Sequence, residues 1–132
     1  MRKEELMDRT KRFALDTVKL YDEIPLTTAV KIYFHQLIRS SSSVGANYRA
    51  ACRAKSSADF INKLKIVEEE ADESIYFLEL VLELNKNHKE SIMRLIKEGN
   101  ELVSIFVASI NTARKGIKIT KPEDTVSSQS KI

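Results

Sequence analysis

The chain has 132 residues, of which 42% are hydrophobic and 31% charged, with a formal net charge of +3. That length accommodates one domain around one core. Three glycines, two prolines and no tryptophan argue against many short strands and turns and for a few long helices.

Residues 3–22 read as the first helix. Leu6, Phe13, Leu20 and Ile24 recur at sevens and fours, flanked by Met7, Ala14, Val18 and Tyr21, which is the spacing of one helical face. Pro25 ends it, because a proline pushes the preceding residue out of the α region.

The second helix starts at Thr27 or Thr28, either of which can cap it, and runs to about Arg53. Val30, Tyr33, Phe34, Leu37, Ser41, Val44 and Tyr48 share its apolar face. Ser40–Ser43 and Gly45 are poor helix formers, yet the apolar period passes through them. Small side chains here let a neighbouring helix come close. Ser56 or Ser57 caps the third helix, which runs to about Lys86. Its residues Phe60, Leu64, Val67, Ala71, Ser74, Leu78 and Val81 make a 4-3 seam of coiled-coil type. Asn87 with Glu90 three residues on has the form of a capping box. The fourth helix then extends from Lys89 to about Arg114 on Ile92, Leu95, Ile96, Leu102, Val103, Phe106, Ile110 and Ala113, with Gly116 as its C-cap. The expectation is an all-α, antiparallel up-down-up-down four-helix bundle over residues 1–117. Residues 118–132 form a polar, disordered tail.

The third helix carries a second apolar group, Ile66, Phe77, Leu80 and Leu84, with Glu70 and Glu73 beside it. Together with the seam it spans roughly 200° of the wheel, wider than one bundle core requires. Either this helix is simply the most buried of the four, or its far side is a subunit interface of a homo-oligomer. Carboxylates in such a place need partners, and the basic residues of the second helix could supply them, within the chain or from a neighbour. An acidic band against a basic one suits a head-to-tail ring.

Charge is distributed unevenly. Between Thr27 and Ile66 seven basic residues face one acid, Asp59; between Val67 and Glu79 six acids face no base. Lys31, His35, Arg39, Ser42, Arg49 and Arg53 lie within about 80° of each other on the second helix, over about 33 Å at 1.5 Å per residue. With Lys55 just beyond, Lys31, Arg39, Arg49 and Arg53 make a candidate nucleic-acid face, RNA or DNA, that could follow a phosphate backbone. Tyr33 and Tyr48 point to the apolar side, so base stacking is not indicated. The same stripe could instead be solvated or paired with Glu69, Glu70 and Glu73.

No catalytic or metal-binding constellation emerges, and no cofactor is expected. The positions three before His35 and His88 are Ile32 and Asn85, so the ExxH pair of di-metal bundles is missing. Ser40–Ser43 has no base pattern nearby. A single cysteine, Cys52, offers neither an internal disulfide nor a CxxC zinc pair and fits a reducing, cytoplasmic compartment. The charged opening segment has no secretory core, and no apolar run reaches the length of a membrane span.

The segment QLIRSSSSVGANYRAACRAKSSADFINKLKIVEEEADESIYFLEL, Gln36–Leu80, resembles the bacterial four-helix-bundle family related to the intervening-sequence proteins of large-subunit rRNA genes, often labelled ribosomal-protein-like. Gln36, Arg39, Ser40, Ser43, Asn47, Tyr48, Arg49, Asp59, Phe60, Lys63, Glu70, Glu73 and Ser74 are among the matching positions. The resemblance implies a homopentameric ring. A distantly similar protein, the accessory variability determinant of diversity-generating retroelements, binds a reverse transcriptase and nucleic acid through a basic surface. By that analogy the chain is expected to be a non-enzymatic oligomer that binds nucleic acid or a ribonucleoprotein through Lys31, Arg39, Arg49, Arg53 and Lys55. The alternative is a scaffold on which that face docks a subunit or a protein partner such as a reverse transcriptase. Ala50 stands where the motif usually has Glu, Glu69 where it usually has Lys, and Phe77 where it often has Trp.

Overall fold

The computed structural model describes residues 1–120 of the chain, with side chains described as far as Ile117. Four helices, α1 (Lys3–Glu23), α2 (Thr28–Cys52), α3 (Ser57–Leu84) and α4 (Lys89–Thr120), are joined by short links. A single 3-10 turn, Lys86–His88, forms the last of them. Each helix packs on the next, most extensively α2 on α3, and α4 closes back on α1 through the slightest of the four interfaces. Among the described residues this is the four-helix, all-α bundle that the apolar periods require.

Several helix ends follow from local chemistry. Pro25 stops α1, leaving Ile24 extended and buried beneath the link. The Thr27 hydroxyl accepts from the Val30 amide at 3.3 Å and starts α2. Ser56, not Ser57, caps α3, accepting from the Asp59 amide at 3.1 Å. Each supplies an oxygen to an amide that has no partner inside the helix.

One expected cap and one expected end differ. α4 begins at Lys89 as expected, but the 3-10 turn takes up Asn87, so Asn87 does not stand at its N-cap position. At the other end, α4 does not stop at Gly116 but continues to Thr120, past the expected boundary at residue 117. Gly116 has no left-handed backbone, the conformation that a glycine C-cap supplies. Residues 121–132, the rest of the expected tail, lie outside the described residues.

The core is continuous. Phe13, Phe34, Leu37, Leu64, Leu78, Leu102 and Phe106 are fully enclosed, with Val30, Val44, Val67, Val81 and Ile92 around them. Ring contacts tie helices together: Tyr21 meets Phe34 edge-on at 5.2 Å, and Tyr48 meets Phe106 across the bundle at 5.8 Å. Burial pushes the Tyr48 phenol above its ordinary range, aided by a hydrogen bond with Cys52, so the ring stays neutral in the core. The expected seam of α3 is buried from Leu64 to Val81. At its start Phe60 is only half-buried while Ile61 is buried, and Ile75 is buried beside Ser74, because α3 is flanked by both α2 and α4. Val18, expected beside the α1 face, is exposed.

At mid-height the helices meet through small residues. Thr17 Oγ1 and Ser41 Oγ are 3.0 Å apart between α1 and α2. Ser40 and Ser74 Oγ are 2.9 Å apart between α2 and α3. All four are fully buried, and each also bonds a backbone carbonyl of its own helix. No buried side-chain polar atom among the described residues lacks a partner. A Cβ on Gly45 would come 3.2 Å from Thr10 Oγ1. One on Gly99 would come 2.8 Å from Ile75 Cγ1 and 3.5 Å from the Phe13 ring.

Gly99→Val is therefore expected to destabilise the bundle by about 2 kcal/mol or more, overpacking outweighing a gain of at most about 0.5 kcal/mol in helix propensity. Gly116→Ala, whose Cβ would meet nothing within 4 Å, is expected to leave stability unchanged or raise it slightly. Thermal melts of both variants check the contrast, and a fall in melting temperature shared equally by both would contradict it.

Candidate functional site

The basic stripe of α2 does not survive folding as one uniform surface. Arg39, at its centre, reaches across to α3. Its Nη1 donates to Glu70 Oε1 at 3.1 Å, and its Nη2 bonds Glu73. Its Nε donates to Gln36 Oε1 at 3.1 Å. The guanidinium is held above its ordinary pKa by hydrogen bonds and charge from Glu70 and Glu73, against the cost of burial. Arg39 with Glu70 and Glu73 thus makes the pairing that the sequence left open for this stripe, and makes it within one chain.

A second clamp has the same form. Arg9 on α1 donates Nε and Nη2 to the two oxygens of Glu98 on α4, both at 2.7 Å, and Nη2 also reaches Glu101 at 2.6 Å. The hydrogen bond that Arg9 donates to Glu98 is the main cause that raises the Arg9 pKa. Each clamp is one arginine gripping two glutamates three residues apart, which stand on one helix face. The Arg9 clamp lies in the groove between α1 and α4. Sequence reasoning did not find it, because its partners are 89 residues apart and neither belongs to a local pattern.

The remaining α2 cations behave differently. Lys31, Arg49, Arg53 and Lys55 are exposed and make no ion pair among the described residues. His35 and Ser42 are also exposed on this side. Lys31 stands in the first turn of α2, whereas Arg49, Arg53 and Lys55 cluster where α2 gives way to α3.

The second apolar group of α3 also resolves. Ile66, Glu70, Glu73, Phe77, Leu80 and Leu84 follow a 4-3-4-3-4 spacing, a second seam beside the core seam. Phe77 packs on Tyr33 of α2, with ring centroids 6.3 Å apart, and Leu80 is half-buried. Ile66 is 43% exposed, Leu84 54% and the adjacent Tyr76 55%. The seam is covered in its middle by α2 and open at both ends.

Among the described residues, no three His, Cys, Asp or Glu side chains are placed to hold a metal ion, and no helix is long and apolar enough to cross a membrane.

The Arg9 side chain is 24% exposed and doubly bonded to Glu98, while that of Arg39 is 44% exposed. Screening by water weakens the more exposed pair, and a two-pronged contact is the stronger geometry. Arg9→Ala is accordingly expected to cost about 1–2 kcal/mol and Arg39→Ala at most about 1 kcal/mol. Chemical denaturation of the two variants side by side would reveal the order, and a larger loss from Arg39→Ala would overturn it.

A comparison with curated proteins finds no match. A crystal structure of a protein of unknown function from the S23 ribosomal protein family of Bacteroides thetaiotaomicron is similar to the chain. The two are 34% identical and superpose with a TM-score of 0.74, over 84% of this chain and 99% of that one. The family model described as 23S rRNA-intervening sequence protein matches residues 2–108. That span takes in all of α1, α2 and α3 and most of α4, so the chain belongs to the 23S rRNA-intervening sequence protein family.

Proposed function

We propose that the protein is a non-enzymatic, oligomeric binding protein that holds nucleic acid, or a ribonucleoprotein, by its phosphate backbone. The observation that carries this reading is the division of cations along α2. Arg39 is engaged by two glutamates, whereas Arg49, Arg53 and Lys55 remain exposed without a counter-ion among the described residues. Cations left unpaired in a folded protein are available to replace counterions along a polyanion. Tyr48 is buried, so no aromatic on this face can stack on a base, and recognition is of charge rather than sequence.

Titrating labelled single-stranded and duplex RNA and DNA across a salt series tests the reading. Log affinity is expected to fall steeply with log salt, and Arg49→Glu with Arg53→Glu to flatten that slope by about 2 while the fold is kept. No binding at low salt would rule it out.

A second reading is a protein-interaction scaffold, for a reverse transcriptase or another protein. The open ends of the outer α3 seam favour it, since apolar side chains exposed along one line mark a contact surface. On the same observation we propose that copies of the chain associate through this seam, in a ring of five by family resemblance. Ile66→Asp with Leu84→Asp is expected to yield a helical monomer by sedimentation velocity. An unchanged assembly would place the interface elsewhere, and a wild-type protein that sediments as a monomer would remove the oligomer.

A further inference from the structure

Antiparallel packing brings the C-terminal ends of α2 and α4 to the same end of the bundle as the N-termini of α1 and α3. Tyr48 near the end of α2 packs against Phe106 of α4, and Gly45 of α2 lies against Thr10 of α1. Beyond Phe106, α4 continues through the buried Ile110 and Ala113 to Arg114 and Lys115, both exposed. Those two cations, far from α2 in sequence, therefore belong to the end that carries Arg49, Arg53 and Lys55.

The acids at this end are largely engaged. Glu5 pairs with Arg2 at 3.2 Å, Asp8 with Arg12 at 2.7 Å, and Asp59 with Lys63 at 3.6 Å. Glu4 is the exception, with no ion pair among the described residues. No ion pair among the described residues reaches Arg49, Arg53, Lys55, Arg114 or Lys115. From Glu69 to Leu84 the middle and C-terminal half of α3 carry six acids and no base. At the opposite end of the bundle cations and acids are mixed, with Lys31, Lys86 and Lys89 standing near Glu79, Glu83 and Glu90.

We infer that the nucleic-acid surface is the end of the bundle, built by Arg49, Arg53 and Lys55 at the α2–α3 corner together with Arg114 and Lys115 of α4, rather than the length of the α2 face. The inference rests on the nucleic-acid reading and specifies its site. A polyanion lying along α2 would pass Glu70 and Glu73, where like charge opposes it, to reach Lys31. One meeting the bundle end-on gains five cations and keeps the acidic half of α3 away from the phosphates. With five phosphates neutralised, the slope of log affinity against log salt on a duplex is on the order of −4 to −5.

The test uses a short, labelled, mixed-sequence RNA duplex and three full-length variants: Arg114→Glu with Lys115→Glu, Arg49→Glu with Arg53→Glu, and Lys31→Glu. All five positions are exposed, and circular dichroism with sedimentation confirms the fold and assembly of each. Both double variants are expected to lose about tenfold or more in low-salt affinity and to flatten the slope by about 2, with Lys31→Glu within about twofold of wild type. Loss in the α2 variant with none in the α4 variant would overturn the end-on site while leaving the nucleic-acid reading standing. Loss in Lys31→Glu equal to that in the α2 variant would place binding along the helix face and overturn it too. A wild-type protein that does not bind the duplex would overturn both.

Discussion

Close approach of the helices at one level of the bundle fixes how the whole molecule is assembled. There Thr17 meets Ser41, Ser40 meets Ser74, and Gly99 leaves just enough room for Ile75 and Phe13. A core of leucine, isoleucine and valine is tolerant of sliding, since one aliphatic side chain replaces another after a helical turn. Buried hydroxyls and a buried glycine are not. Sliding a helix would break the contacts between hydroxyls, each then keeping only the carbonyl of its own helix, or drive a Cβ into Ile75. These contacts set the register, and the large side chains above and below then fill the space.

From that register follows the fate of the charges. Arg39 lies one position before Ser40, and Glu73 one before Ser74. The contact that brings the two serines together therefore brings arginine and glutamate together at the surface beside them. The helix wheel of α2 shows a single basic stripe. The packed α2–α3 pair divides it into a clamp at the centre and exposed cations at the ends. The α1–α4 side repeats the arrangement with Arg9, Glu98 and Glu101, on the opposite side of the bundle.

Features governed by neighbouring residues were legible in the sequence. Pro25, Thr27 and Ser56 act on the few residues beside them, and each does locally what its chemistry dictates. The apolar periods of α2 and α4 likewise identify Phe34, Leu37, Leu102 and Phe106 as core. What the sequence concealed depends on tertiary partners. Gly116 has the composition of a cap, but nothing turns the chain there. The α3 seam depends on which two helices flank it, so Ile61 is buried where the period alone favoured Phe60, and Ile75 is buried beside Ser74. In the candidate site, the cations of α2 could be read directly. Whether each had a counter-ion could not, nor could the presence of Arg114 and Lys115 at the same end, because both depend on how distant helices are placed.

The links between helices are short, and each helix packs most closely on its neighbours in the chain. Three of the four interfaces can thus form by closing small loops, which costs little chain entropy. The fourth, α1 on α4, joins the two ends of the sequence and is the slightest of the four. Its main polar tie is Arg9 to Glu98, across 89 residues. A chain connected in this way gathers most of its native contacts locally, the circumstance in which helical proteins fold fastest. The same wiring makes the α1–α4 edge the last to close during folding and the first to open in the native state.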